Sequence, residues 1–557
     1  MIFYYFYMPM WFKQGILIDI RFCIPAIMGY FVCSKLLHMN KLLSPTILFF
    51  LFINMAHAQE TVDMAMMQKI KDEARTNSQI AMIAHNITDV CGPRLTNSPG
   101  YNRALDWVTE ICKQWGLQNA GREAWGEFGK GWQNETGTLA MKMPYYQDIS
   151  AYPVPWCKST KKSVKTELIM LDMLDSASID KAGESLKGKI VMIKPGSTTI
   201  PDAYKAYATR YGDTSLDNLE SKYMVERKQM ESFLPFIKKD YYTRLYLEKM
   251  GAKGLILSGR NNRDGTVFVD GGTGYAKGYE ATLPEMKIGR EDYLKLMRLI
   301  KDNKKVEIEM NLQNSFFSND LTGYNVVAEI PGTDPSLKGQ VVMLGGHLDS
   351  WAGGTGATDN GAGCIATLEA IRILKALGVQ PRRTIRIALW GGEEQGLYGS
   401  FGYVKKHFGD PANMQLLPEQ ANISAYYNLD NGSGKIRGIY AQGNSAVRDI
   451  FKAWLAPFAD MGAAGGVTLS NTGSTDHISF DAVGIPGFQF IQDPLEYETR
   501  THHSNMDTYD HLSIPDLQQA AIIIAAFVYN TAMRTDMMPR KPLPKPEKFV
   551  FDFDFPI

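Results

Sequence analysis

The chain has 557 residues, more than one hydrophobic core usually organises, so more than one domain is expected. Apolar residues make up 45% and charged residues 21%, a globular balance that excludes general disorder. Lys+Arg and Asp+Glu are both 59, a formal net charge of zero, which excludes the concentrated basic charge of a nucleic-acid binder.

The first element in chain order is a leader. From Met39 the chain reads MNKLLSPTILFFLFINMAHAQE: a Lys, an apolar run, then small residues around Ala56-His57-Ala58. That layout predicts a secretory signal peptide cleaved after Ala58, and hence export to the periplasm or beyond. The run from Leu42 to Met55 is too short and interrupted for a membrane span, so no stable membrane association is expected after cleavage. For residues 1–38 an over-extended start before Met39 is preferred over a double hydrophobic anchor, because one complete signal peptide already accounts for export. Cysteines stand at 23, 33, 91, 112, 157 and 364, none in a CxxC pair, so cysteine-based metal sites are not expected. The four beyond the leader leave room for one or two disulfides without pairing them.

Residues 62–90 read as helix, and Asn102–Trp115 as a second helix with Ala104, Trp107, Val108, Ile111 and Cys112 on one face, stopped by Gly116. CGPRLTNSPG between them is a turn-rich connector. From about 145 the chain breaks into short strand-like runs, Thr166–Asp172, Gly188–Lys194 and Ala252–Leu257, interrupted by a Tyr-rich stretch over 201–248 expected to be helical. The phrases LKGKIVMIKPG and MGAKGLILSGR in this β-rich block resemble the protease-associated domain, a lid module inserted in several exopeptidases. From about 320 to 535 strands alternate with helices. The strands are Asn325–Ile330, Val341–Leu344, Thr384–Trp390, Ser424–Leu429, Ile436–Ala441 and Gly487–Ile491; the helices are Ala362–Leu377, Ser445–Phe458 and Ile514–Thr531. The expected fold is therefore α/β, a mostly parallel central sheet flanked by helices with an inserted β-rich domain. The division runs 1–58 leader, 59–144 first part of the catalytic domain, 145–318 insert, 319–535 catalytic domain and 536–557 extended tail.

In open α/β sheets, reactive groups gather beyond the carboxyl ends of the strands. Three strand ends here are followed by Gly345-Gly346-His347-Leu348-Asp349, by Gly391-Gly392-Glu393-Glu394 and by Asp430-Asn431-Gly432. Two loops add Asp359, in GATDNGAG, and His503, in THHSNMDTYD. Imidazole and carboxylate ligands suit zinc, and five of them suit two ions if one carboxylate bridges. Asp359 is the candidate bridge, with His347 and Asp430 on one ion and Glu394 and His503 on the other. Glu393, unable to ligate alongside Glu394 from one short strand end, is the candidate general base. Asp349 is expected to orient the free nitrogen of His347, and Asp507 that of His503.

In order and spacing, GGHLDSW, GATDNGAG, GGEEQGLYGS, NLDNG, STDHISF and HHSNMDT resemble the co-catalytic di-zinc exopeptidases of peptidase clan MH, in particular their aminopeptidase and carboxypeptidase Q-like family. With CGPRLTNSPG and the insert, the resemblance covers nearly all of the chain after the leader. It implies the zinc exopeptidase fold, the same five ligands and the same base. It also implies a cis peptide after the bridging carboxylate, here Asp359-Asn360. Asn360 stands where many relatives carry Asp, a departure not expected to disturb ligation.

A lone histidine is usually structural, and His85, His407 and His511 are read so. Asp476, His477 and His502 are candidates to support the ligands or touch substrate. Gly353-Gly354-Thr355-Gly356 lacks the Lys-Ser/Thr of a phosphate cradle. The function that follows is an exported, zinc-dependent exopeptidase acting on short peptides and dipeptides, with peptide substrates as its partners and a homodimer left open. The alternatives are a carboxypeptidase working from the other end, a glutaminyl-cyclase-like acyltransferase, and a non-catalytic receptor of the same fold.

Overall fold

The computed structural model describes residues 60–200, 204–212, 215–216, 234–259, 263–463 and 466–547. The expected signal peptide and residues 1–38 lie outside them, as does most of the 201–233 stretch expected to be helical; within 201–248, helix is described from Leu234 onward, in the element Leu234–Lys249.

Among the described residues, eighteen strands form two large sheets and one short ribbon. In chain order they begin with β1 (Gln118–Glu127), β2 (Gly131–Met143), β3 (Gln147–Ile149), β4 (Ala151–Pro153), β5 (Val164–Leu171) and β6 (Ile190–Ile193). Next come β7 (Gly254–Leu257), β8 (Glu285–Ile288), β9 (Glu307–Phe317), β10 (Thr322–Ile330), β11 (Val341–His347) and β12 (Thr384–Trp390). The last are β13 (Gly409–Asp410), β14 (Gln415–Leu416), β15 (Ile423–Asn428), β16 (Ile436–Tyr440), β17 (Gly466–Thr468) and β18 (Gly487–Gln492).

The main sheet runs β1-β10-β12-β11-β15-β18-β16-β17. Its centre, β12-β11-β15-β18, is parallel, while β1 and β10 join on one side and β16 on the other by antiparallel pairing. Both faces of the centre are covered, which is why its strands read as continuous apolar runs. Val342 and Leu344 of β11 and Ile385, Ile387 and Leu389 of β12 point into one core with the helices Ala362–Ala376 and Ile514–Met533. Val341 and Met343, with Ala388 and Trp390, point into the other, beside Tyr403, Phe408, Tyr426 and Phe480. Gly345 is required between the layers: a Cβ there would lie 1.9 Å from the carbonyl oxygen of Ala388.

The second sheet runs β3-β2-β9-β5-β6-β7-β8-β4. It takes in β2, which begins at Gly131, ahead of the 145 boundary suggested by composition. Its parallel core strands β5, β6, β7 and β8 bury Ile190 and Met192 on one face and Val191 on the other. Among the described residues no disulfide forms: Cys91, Cys112, Cys157 and Cys364 are all free and buried. No helix among them is long and apolar enough to cross a membrane.

Candidate metal centre and active site

The carboxyl ends of the parallel strands converge as the strand-end argument requires. His347 closes β11; Glu393 and Glu394 follow β12 on the turn led by Gly392; Asp430 follows β15; and the segment 497–503 follows β18. Gly363 lets the helix Ala362–Ala376 start against this edge, since a Cβ there would sit 2.1 Å from the carbonyl oxygen of Leu429.

Asp359 lies between the two imidazoles. Its Oδ1 is 3.4 Å from His347 Nε2, and its Oδ2 is 3.1 Å from His503 Nε2. On the first side Asp430 Oδ1 is 3.3 Å from His347 Nε2; on the second Glu394 Oε2 is 3.0 Å from His503 Nε2. The ligand atoms of His347, Asp359 and Asp430 lie within 4.8 Å of one another, and so do those of Asp359, His502 and His503. The peptide bond Asp359–Asn360 is cis. The Asn360 amide donates to the Leu429 carbonyl at 2.8 Å and its oxygen accepts the Gly363 N–H at 2.9 Å, so this residue ties the loop to the end of β15.

The donors fit cations. Asp359 Oδ2 is buried and makes no hydrogen bond among the described residues, an expense that a bound cation would remove. Burial opposes a charge on His347, yet the Asp430 and Glu393 carboxylates outweigh it and hold the imidazole well above its ordinary range. His503 is raised in the same way, against burial, by Glu394 and Asp359. Glu393 Oε2 is 3.9 Å from His347 Nε2. Burial pushes the Glu393 carboxyl well above its ordinary range, against the pull of His347 and with the help of Asp430 and Asp476. A protonatable glutamate beside the ligand set can accept and return a proton.

Asp349 does more than the HxD spacing suggests. Its backbone carbonyl lies 3.0 Å from His347 Nδ1, and its carboxylate 3.6 Å. The same carboxylate accepts the backbone N–H of Glu393 at 3.2 Å and of Glu394 at 3.3 Å, and the Thr96 hydroxyl at 3.1 Å. Thr96 comes from CGPRLTNSPG, and so does Arg94. The Arg94 guanidinium, fully buried, donates to the carbonyls of Leu348, Ile87, Thr355 and Gly356. The turn-rich connector is thus the brace of the loop that carries Asp359.

Asp507 differs from expectation. It does not reach the His503 ring; it accepts the backbone N–H groups of Thr358 at 2.5 Å and Asp359 at 3.1 Å, fixing the Asp359 backbone instead. Burial, with Asp359 adding, pushes its carboxyl up to about 7. Asp476 is fully buried and faces the charges of His347 and Asp430, and burial lifts it to about 8. His477 is a correction: its ring turns away, with Nε2 on Gln442 and 3.2 Å from the Thr472 carbonyl, and it does not join the cluster. The short helix that His477 opens points the ring toward the loops beyond β16 and β17. His502 does join it, with Nε2 3.6 Å from Asp359 Oδ2 and its ring 3.8 Å from that of His503. His85, His407 and His511 pair with Asp89, Glu123 and Glu496 away from the cluster.

Tyr497, which no motif singled out, donates its hydroxyl to Asp359 Oδ1 at 3.0 Å. Trp351 lies edge-on to His503 at 5.9 Å, and with Gly354, Gly356, Glu394 and Ser504 it packs around the His503 side of the cluster.

A helix-covered α/β sheet whose carboxyl edge gathers two imidazoles around a shared carboxylate, with a spare glutamate beside them, is a class of site able to hold cations and to move a proton beside them. Residues 325–528 match the sequence model of peptidase family M28. Bovine carboxypeptidase Q is 24% identical over 471 residues, 84% of this chain and 88% of that protein. The crystal structure of a peptidase M28 precursor from Shewanella amazonensis superimposes with a TM-score of 0.63 at 23% identity, covering 86% of this chain and 98% of that one. A zinc aminopeptidase from Bacillus subtilis superimposes with a TM-score of 0.52 at 20% identity, covering 83% and 97%.

Proposed function

We propose that this chain is an exported exopeptidase that binds two zinc ions and hydrolyses short peptides. The observation that carries the reading is Asp359, whose two oxygens face opposite imidazoles. His347 and Asp430 would hold one ion and Glu394 and His503 the other, with Asp359 placed to serve both. Imidazole nitrogens and carboxylate oxygens are the donor set zinc takes, and the structural neighbour from Bacillus subtilis is described as a zinc aminopeptidase. Zinc bound there supplies Lewis acidity, polarising the scissile carbonyl and easing deprotonation of a water. Glu393 takes the proton from that water and returns it to the leaving amine. Asp349 and Asp507 hold the backbone of the glutamate pair and of Asp359 so that little reorganisation is needed during the reaction.

For the substrate end, Glu498 supports the amino-terminal reading. Its carboxylate lies 3.8 Å from His502 Nδ1 and its side chain is 68% exposed, so it offers a counter-charge for a cationic amine beside the site. The name carboxypeptidase Q, borne by the bovine relative, supports recognition of the carboxyl end as the second reading. Export rests on the leader that ends at Ala58, and the division into catalytic domain and protease-associated-like insert rests on the two separate sheets. Zinc analysis together with dipeptide hydrolysis tests the function. Two ions per chain and chelator-sensitive cleavage are expected; one ion with cyclisation of a Gln-initiated peptide overturns it in favour of the acyltransferase, and inertness toward both substrates in favour of a receptor.

A further inference from the structure

The loop that carries His503 is not held by the catalytic sheet alone. From the other side it meets a segment of the second-sheet region, residues 265–270. Val267 donates its backbone N–H to the Asn505 side chain at 2.7 Å, and Asn505 N–H donates back to the Val267 carbonyl at 3.0 Å. Phe268 and Ser504 form an antiparallel bridge. Val269 donates its N–H to the carbonyl of His503 itself at 2.6 Å. His503 has φ +57°, a left-handed backbone that a residue with a Cβ adopts only when its surroundings hold it there. The next residue, Asp270, brings its Oδ2 to 4.0 Å from His503 Nδ1, the ring nitrogen facing away from Asp359 and Glu394. Asp270 is in turn fixed by Lys287 of β8, which ion-pairs with its carboxylate and donates to its carbonyl at 2.9 Å.

We propose that Asp270, carried by the insert, is the positioning carboxylate for His503, so that the insert completes the metal site rather than only covering it. The inference rests on the assignment of His503 as a zinc ligand. A histidine that ligates through Nε2 needs its Nδ1–H directed at an acceptor, which fixes the tautomer and the ring plane and makes the ligand more basic. His347 obtains this from Asp349 within its own strand-end loop. Among the described acids near His503, Asp507 is occupied by the backbone of Thr358 and Asp359, and Asp270 is the carboxylate that faces Nδ1. The Val269–His503 hydrogen bond holds the backbone of the ligand at the same time. Ring and main chain of one ligand therefore both depend on four consecutive residues of the insert. Binding of the His503-side ion and docking of the insert on this loop are then one coupled equilibrium.

The test measures zinc affinity by chelator competition in the full processed chain, for wild type, Asp270→Asn and Asp270→Glu. Asp270→Asn is expected to weaken one of the two ions 10- to 100-fold and leave the other unchanged, with Asp270→Glu recovering part of the loss. Unchanged affinity at both sites in a folded Asp270→Asn protein overturns the proposal. A wild type that binds no zinc overturns the ligand assignment instead, so the two failures are distinct. If Asp270→Asn does not fold, hydrogen exchange of the wild type decides: the 265–270 peptide must gain protection when zinc is added, and no gain overturns the coupling.

Discussion

Asp349 accepts the backbone N–H of Glu393 on Oδ1, at 3.2 Å, and its other oxygen accepts that of Glu394 at 3.3 Å. One buried carboxylate thereby sets the direction in which two adjacent glutamates leave the strand end, one toward His503 and one toward His347. The His347 ring leans chiefly on the Asp349 backbone carbonyl at 3.0 Å, which any residue would supply.

Replacing Asp349 by Ala is therefore expected to disturb the glutamates more than the histidine. Activity should fall about 10- to 100-fold, and the ion on the Glu394 side should weaken while the ion on the His347 side is retained. Zinc competition and steady-state kinetics on the same preparation check this. Preferential loss of the His347-side ion would mean that the carboxylate acts mainly on His347.

The glutamate pair separates proton transfer from ligation. Glu393→Gln should keep both ions and the thermal stability of the zinc-loaded protein while kcat falls about 10²- to 10⁴-fold. Glu394→Gln should lose zinc first, because its oxygen lies 3.0 Å from His503 Nε2. Measuring metal content beside kcat distinguishes the variants, and exchanged phenotypes would reverse the roles assigned to the pair.

The central strands were legible because they are buried on both faces, so apolar runs such as Val341–Leu344 and Thr384–Trp390 end sharply at glycine. Residues placed directly after those ends, His347, Glu393, Glu394 and Asp430, could be read from position alone. Strands β1 and β2 were missed because they are long, only partly buried and rich in polar residues, with none of that contrast. Tyr497 and Asp270 reach the site from segments with no motif, and only the fold puts them beside Asp359 and His503. Asp507 was recognisable as a supporting acid by its closeness to His503 in sequence, but its partners are backbone N–H groups 148 and 149 residues away, which spacing cannot reveal. His477 misled because STDHISF places an imidazole beside Asp476, while the short helix it opens turns the ring to Gln442.

His477 should nevertheless leave a mark on stability. Burial pushes its imidazole down to about 3, whereas in the unfolded chain it titrates near about 6.5. Below that value the unfolded state binds a proton that the folded state does not, so stability rises with pH. The contribution is complete above about 6.5 and is lost as pH falls toward 3, by up to about 1.4 kcal/mol per unit. Urea midpoints from pH 7 to 4 should fall less steeply in His477→Gln than in wild type. Parallel profiles would show that the ring gains its proton without cost in the folded protein.

The end of the substrate that is recognised can be decided by the charges the site offers. Beyond the ligands, the group exposed beside His502 is the Glu498 carboxylate, while Asp476 lies buried behind His347 and Asp430. A free α-amine would be drawn to this acidic edge, and alignment of the adjacent carbonyl with Glu393 would follow from holding that amine. A free carboxylate would be repelled by Glu498 and would need a cation other than the two zinc ions to hold it beside His502. Arg500, which lies near Glu496 and over the Tyr207 ring, is engaged away from that role. One tripeptide in three forms therefore gives a sharp expectation. The free peptide should be cleaved fastest, C-amidation should change kcat/KM by only a few-fold, and N-acetylation should lower it by about 10²-fold or more, chiefly because alignment is lost. Glu498→Gln should reduce the discrimination between free and acetylated forms while leaving zinc content unchanged. If amidation abolishes cleavage and acetylation is tolerated, the carboxylate is the recognised end, and the acidic edge serves to steer some other part of the substrate.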